Sequence, residues 1–346
     1  MIRNNMKWIV GILLLVFIGT ALLPTISKMI NGDDSTGTTT GAVEKPLPDL
    51  TIPKFNSDSA YAFTEKVVSF GPRVTGSANA SKVRNWVVNQ FKKFGADVIE
   101  QPFKAKTFDG KTLDATNIIA RINLNATNRI MLSAHWDSRP FADQDSSKPK
   151  EPILGADDSG SAIAMLLEIA RQLQQTPLSN TGVDIILFDA EDYGDGSGKE
   201  NTETTWCLGS QYWAKNLHVA GYAAKYGINL DMAGARNARF TKEAFSMKFA
   251  SQTVEKVWRV GRFLGYTQLF VDESSRGPMI DDHYFVNTVA RIPTIDIINH
   301  PTDSYFGKYW HTHHDDMSVI DKETLKGTGQ TILSVLHYEN AGAFTN

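Results

Sequence analysis

Four short stretches concentrate the side chains of this chain that could do chemistry: AHWDS at 134–138, GADDSG at 155–160, FDAEDYG at 188–194 and YWHTHHDD at 309–316. Each sets Asp, Glu or His beside an apolar run of β-strand character, so carboxylates and imidazoles would gather from separate strand ends. A catalytic zinc needs such a set, three protein ligands and one open position. His135 and Asp137 close the first core run, Asp189, Glu191 and Asp192 the second, and Asp231 the third. Asp158 stands just before a helical stretch, where unpaired backbone N–H groups favour a carboxylate, and His311 follows the last strand by a loop. Single residues have blander readings. Asp157 fits a helix cap, His313 and His314 fit exposed loop positions, Trp310 could be ordinary core, and His218, His300 and His337 fit structural or exposed roles. Adjacent Glu191 and Asp192 would be weak evidence alone; several strand ends all terminating in acid or imidazole mark an enzyme.

The elements that must position these residues alternate. Ala60, Phe63 and Val67 share a helical face that Gly71-Pro72-Arg73 ends, and Val83, Trp86, Val87 and Phe94 continue helical spacing as far as Gly95. Strands are expected at 97–105 and 117–122 on either side of an FDGK turn, and at 129–136. A helix follows at 161–173, then an unbroken apolar strand at 183–190, the type buried on both faces of a sheet. The pattern continues with a helix over 209–217, a strand over 226–234, a helical stripe of Val254, Val257, Trp258, Gly261 and Leu264, and a strand over 291–299. Leu325, Ile332 and Leu336 mark a C-terminal helix. This alternation predicts an α/β fold with a central mixed, largely parallel β-sheet flanked by helices. In open α/β sheets the ligand site lies beyond the carboxyl ends of the strands, where the polar residues sit.

From about Ile52 onward the composition is globular without a second break, so residues 52–346 are expected to form one catalytic domain. A net charge of −3 and the absence of a basic run with interleaved aromatics argue against a nucleic-acid partner. The single cysteine, Cys207, cannot form an intramolecular disulfide and fits a packed core position. Near the start, Arg3 and Lys7 precede an uncharged stretch from Trp8 to Ser27, and Asp33 and Asp34 follow it. Such a stretch is long enough to span a bilayer, and the charge order favours the N-terminus inside. The expectation is a cytoplasmic segment at 1–7, a transmembrane signal anchor at 8–27 and a flexible linker at 28–51, of which 31–49 is Gly/Thr/Ser/Pro-rich. A cleaved signal peptide is the competing reading. Either way the catalytic domain would be exported, on the periplasmic or extracytoplasmic side.

The ordered set AHWDS, GADDSG, FDAED, LDMAGAR, DDH and WHT resembles the zinc-dependent metallopeptidase family M28. Within it, the set is similar to the animal-type (type II) glutaminyl cyclases and their Bacteroidetes relatives, as are WCLGSQYW at 206–213 and IDDHYF at 280–285. The likeness runs from GPRVTGS at 71–77 to the C-terminal helix. It implies an enzyme that converts N-terminal glutaminyl residues of peptides or proteins to pyroglutamate with release of ammonia, using one Zn2+. It implies Asp158, Asp192 and His311 as zinc ligands and Glu191 as the acid/base that carries a proton from the α-amine to the departing ammonia. Asp231 and Asp281 would form the hydrogen-bond network around Glu191, and Trp310 would wall the substrate pocket. Two departures stand out. Animal enzymes usually have Glu–Glu where this chain has Glu191–Asp192, although the shorter carboxylate still ligates zinc at about 2.0–2.2 Å. Their paired cysteines are also missing. The same family offers a rival, a two-zinc aminopeptidase whose second metal would use His135 and Asp231 with a bridging Asp158. DDH in place of SDH, and Trp310 directly before His311, favour the cyclase. A catalytically dead ectodomain would have lost a ligand or the acid/base, and this chain has lost neither.

Overall fold

The computed structural model describes residues 46–199 and 202–344. The expected anchor at 8–27 lies outside them, as does most of the expected linker. Among the described residues no helix is long and apolar enough to cross a membrane. Leu47 and Leu50, at the end of the expected linker, pack against the hydrophobic core.

Among the described residues two capped helices come first. In α1 (Ser57–Val68) the Asn56 side chain accepts from Ser59 N, and in α2 (Ala78–Lys93) the Ser77 side chain accepts from Ala80 N. Each cap satisfies one of the orphan N–H groups of a helix start. There follow β1 (Asp97–Lys106), β2 (Thr112–Ile122), β3 (Asn128–His135), α3 (Ala162–Gln175), β4 (Thr181–Phe188), α4 (Leu208–Lys215) and β5 (Tyr226–Asp231). The chain continues through β6 (Phe240–Lys242), α5 (Ala244–Phe263), β7 (Phe270–Ser274), β8 (Thr294–Ile298) and α6 (Lys322–Asn340).

Six strands form one sheet in the order β1-β2-β4-β3-β5-β8, and β6 and β7 form a small parallel pair. The hairpin β1–β2 and the β2–β4 pair are antiparallel, whereas β4, β3, β5 and β8 run parallel, which makes the sheet mixed. Every residue of β4, β5 and β8 is buried. Their apolar runs lack alternation because helices cover both faces. On one face α1, α2, α3, α5 and α6 enclose the larger core; on the other, Phe188, Met131 and Ile186 pack against Trp213 of α4 and Val286. The order places β3 between β4 and β5, so their carboxyl ends lie side by side, a switch point of the kind where α/β sheets bind ligands.

Several boundaries differ from the sequence reading: the strand expected over 226–234 ends at Asp231, and the one expected over 291–299 spans Thr294–Ile298. The strand expected over 183–190 stops at Phe188, because Ala190 takes a left-handed backbone (φ 55°) that turns the chain. The strand expected from Asn117 begins at Thr112, where the hairpin extends it.

Candidate metal centre and active site

Three neighbouring strands deliver the site. His135 ends β3, Asp231 ends β5, and the turn after β4 carries Asp189, Glu191 and Asp192. Asp137 shapes that turn: its two oxygens accept from the backbone N–H groups of Glu191 (3.1 Å) and Asp192 (3.2 Å). Asp158 lies on the irregular turn Ala156–Ser161 ahead of α3. Asp315, within YWHTHHDD, holds it by accepting from Asp157 N (2.8 Å) and Asp158 N (3.1 Å). Asp157 does not cap α3 as expected. Its Oδ1 accepts from Gly234 N and Ser161 Oγ and its Oδ2 from Tyr309, tying three loops together beneath the site. Gly155 opens the turn at φ 61°, and a side chain there would meet the Asp158 carbonyl.

Single oxygens of Asp158 and Asp192 and a nitrogen of His311 lie within 4.8 Å of one another, and all three residues are buried. His311 Nε2 is 3.1 Å from Asp192 Oδ1 and 3.9 Å from Asp158 Oδ2. Burial works against a charged His311, but Asp192 and Asp143 outweigh it and raise its pKa to about 9. Burial and the neighbouring Asp158 push Asp192 up. Asp192 Oδ2 is buried without a hydrogen-bond partner. Two carboxylates that favour a proton on the imidazole equally favour a divalent cation in its place. Two oxygens, one imidazole nitrogen and an orphaned oxygen suit zinc.

A second set, His135, Asp158 and Asp231, shares Asp158 with the first. His135 Nε2 lies 2.9 Å from Asp158 Oδ1 and 3.3 Å from Asp231 Oδ1. Burial opposes charge on His135, yet Asp137, Asp158 and Asp231 raise its pKa well above the ordinary value. Burial and Asp158 lift Asp231 to about 8.

Glu191, Asp281 and Cys207 form a third set within 4.8 Å. Glu191 keeps some surface open to the cavity. Burial, reinforced by Asp192, Asp281 and Asp282 and opposed by His135, raises its pKa well above the carboxylate range. Cys207 is buried as expected, and its position is chemically meaningful. Its backbone N–H donates to Glu191 O (2.9 Å) and its thiol to Glu191 Oε1 (3.2 Å). Burial keeps that thiol protonated.

Asp158, Glu191, Asp192, Asp231 and His311 floor a cavity of about 240 Å³ walled by Trp206, Trp310, Phe306, Tyr305, Met232, Ile298 and the loop Pro278–Asp281. Typical drug-sized sites run to about 300–1,000 Å³, so this one suits a single residue. Trp310 stacks on His311 with centroids 3.7 Å apart, and the Trp206 ring lies nearly parallel to the same imidazole at 6.0 Å. Gly194 makes room for Trp206, since a side chain there would run into the indole. Ala190, Cys207, Met232 and His311 all take left-handed φ between 46° and 56°, each at or next to a site residue. Backbone strain of this kind costs about 1–3 kcal/mol per residue and clusters at functional sites.

Several contributors escaped the sequence reading. Asp143 accepts from His311 Nδ1 (3.0 Å) and takes Arg139 Nη2 (2.5 Å). Arg139 also donates to Asp192 O (2.8 Å) and lies 4.5 Å over the Trp206 ring. Buried Arg73 donates to the carbonyls of Trp136, Leu154 and Gly155 beneath the Asp158 turn. Arg139 lies in DSR, Asp143 in ADQD and Arg73 in GPR, and none of these contexts carries a ligand pattern. His313 is held by Asp145 and His314 is exposed, both away from the cluster. His218 packs with Trp213 and Tyr222, and His300 with Thr241 and Tyr305.

A sheet of this order, with acids and imidazoles at its carboxyl switch point, is the architecture of a metal-dependent α/β hydrolytic or acyl-transfer enzyme. The chain belongs to peptidase family M28, whose sequence model matches residues 117–336. It is 29% identical over 292 residues to a glutaminyl-peptide cyclotransferase of Drosophila melanogaster, with 78% of each chain covered. Among solved structures it is similar to the Bacteroides thetaiotaomicron glutaminyl cyclase bound to N-acetylhistamine (44% identity, TM-score 0.81, 83% of this chain and 99% of that one). It is likewise similar to the Tannerella forsythia glutaminyl cyclase (46% identity, TM-score 0.80, 82% of this chain and 99% of that one).

Proposed function

We propose that this enzyme is a zinc-dependent glutaminyl-peptide cyclotransferase, forming pyroglutamate at the N-terminus of peptides or proteins and releasing ammonia. The observation that carries the reading is the placement of Glu191 beside the Asp158–Asp192–His311 cluster, in a cavity of about 240 Å³ sized for one residue. Asp158, Asp192 and His311 would hold the zinc. Bound there, it would supply Lewis acidity at the glutaminyl side-chain carbonyl.

The chain's own residues do the rest. Glu191 takes a proton from the α-amine as nitrogen closes on the side-chain carbonyl carbon, then delivers it to the departing ammonia. Its raised pKa suits both directions of that transfer. Cys207 and Asp281 lie against Glu191 and fix where its carboxylate points. Asp231 sits between His135 and the Asp281 side of the pocket. Trp310, Trp206 and Phe306 exclude water, which favours ring closure over hydrolysis. The nucleophile is tethered within the substrate, so fixing a cyclic conformer supplies much of the rate.

One observation favours a second reading, a two-zinc aminopeptidase: Asp158 is shared between the two ligand sets, as a bridging carboxylate would be. Product identity separates the readings. With a Gln-initiated peptide, cyclisation yields pyroglutamyl peptide and ammonia; hydrolysis yields free glutamine and a shortened peptide. The charge order around 8–27 supports an exported, membrane-anchored catalytic domain. Fractionation of cells before and after alkaline extraction tests this, and recovery in the cytosol would overturn it.

A further inference from the structure

Asp281 sits on a wall with little regular structure. Between β7 and the single helical turn Asp282–Phe285 the chain runs as a loop, and Pro278, Met279, Ile280 and Asp281 all face the cavity. What fixes this wall comes from elsewhere in the fold. Glu243, fully buried at the junction of β6 and α5, accepts from Phe245 N (2.9 Å), Ser246 N (2.6 Å) and Ser246 Oγ (2.8 Å). The two backbone bonds cap α5, and capping alone would need no more. The same carboxylate also accepts from Met279 N (3.0 Å) and His283 Nε2 (3.0 Å). These two anchors lie two residues before and two residues after Asp281.

The rest of the neighbourhood depends on that clamp. With Nε2 donating to Glu243, His283 turns Nδ1 toward Asp296 Oδ2, 3.7 Å away. Asn229 Nδ2 donates to both Asp281 Oδ2 (3.0 Å) and Asp296 Oδ1 (3.2 Å), and Asp281 Oδ1 accepts from Asp282 N (2.5 Å). Glu243 remains charged: burial opposes ionisation, but His283 and the backbone donors hold its pKa down at about 2. Hydrogen bonds to a charged acceptor are stronger than neutral ones, so five on one side chain make a stiff anchor.

We propose that Glu243 is a positioning residue of the active site: through Met279 N and His283 Nε2 it holds the 279–283 wall and keeps the Asp281 carboxylate beside Glu191. This inference rests on the cyclisation proposed above, in which Glu191 moves the proton. A cap that served only α5 would affect stability. A clamp on Asp281 affects turnover, because a displacement of about 1 Å in a catalytic arrangement can cost about a hundredfold in rate.

The test compares Glu243→Gln, His283→Ala and His283→Gln with wild type in zinc-loaded protein. In Glu243→Gln and His283→Ala, kcat should fall by about tenfold or more, with KM and zinc content close to wild type. His283→Gln, whose amide nitrogen can reach Glu243 in place of Nε2, should recover most of the loss. Amide hydrogen exchange over 279–283 should accelerate in Glu243→Gln. Unchanged kcat with only a lowered Tm, or unchanged exchange over this segment, would overturn the proposal. If Glu243→Gln fails to fold, the His283 pair decides. If the wild type forms no pyroglutamate, the cyclase reading falls, whereas exchange at Met279–His283 in the His283 variants still decides the role of Glu243.

Discussion

Removing Asp143 should loosen zinc without touching a ligand. Asp143 Oδ1 is 3.0 Å from His311 Nδ1, and its other oxygen is held by Arg139 at 2.5 Å. Burial opposes its ionisation, but His311 and Arg139 hold its pKa well below the usual carboxylate range, so it is charged throughout the working pH. The Nδ1 proton donated to it leaves Nε2 free to face Asp192 and Asp158. Losing such a partner typically weakens metal binding by about 10–100-fold, or about 1.4–2.8 kcal/mol. Asp143→Ala belongs at the upper end, because it strands both the imidazole proton and the buried Arg139 guanidinium. Asp143→Asn keeps an acceptor and belongs at the lower end. The assay is chelator competition for zinc on purified, folded protein. Unchanged affinity in Asp143→Ala, or a larger loss in Asp143→Asn, would refute the reasoning.

Glu191→Gln should reduce turnover by about 10²–10⁴-fold while retaining zinc in metal analysis; loss of the metal would contradict its role. Cys207→Ala should lower kcat by about three- to tenfold, since a neutral hydrogen bond is worth about 0.5–1.5 kcal/mol, and Cys207→Ser should restore it. Equal kcat in the two variants would remove Cys207 from the account. Folding stability should depend on Glu243 in acid. Its carboxyl falls from an ordinary 4.5 to about 2 on folding. A depressed carboxyl stabilises above its unfolded pKa, and the stabilisation disappears as pH falls through the folded one. The difference amounts to about 3 kcal/mol. Urea unfolding near pH 6 and near pH 2 should show this loss in wild type and a shallower one in Glu243→Gln; parallel losses would argue against it.

The strand-end acids were legible because β3, β4 and β5 are mainly apolar, interrupted by single polar residues such as Ser133, Asp184 and Asn229, so the acid or imidazole at or just past each end stands out. The mixed sheet and its helices followed from the same periodicity. The supporting shell was not legible. Asp143 and His311 are 168 positions apart, and Glu243 and His283 are 40 apart; each pair meets only because distant loops pack together. Arg139 and Asp143 sit on a loop with no periodic pattern, and β6 is three residues long, too short to leave one. Asp157 looked like a cap because it precedes a helix. In the fold its carboxylate is taken by Gly234, Ser161 and Tyr309, residues that sequence proximity could not single out together.

The central claim is that Asp158, Asp192 and His311 hold one zinc on which glutaminyl cyclisation depends, while His135 supports the pocket. Titrating metal-free protein with zinc while following ammonia release from a Gln-initiated peptide tests it most directly. Activity should rise linearly and saturate at one equivalent, with pyroglutamyl peptide as the product. Saturation at two equivalents, with free glutamine released, would contradict it.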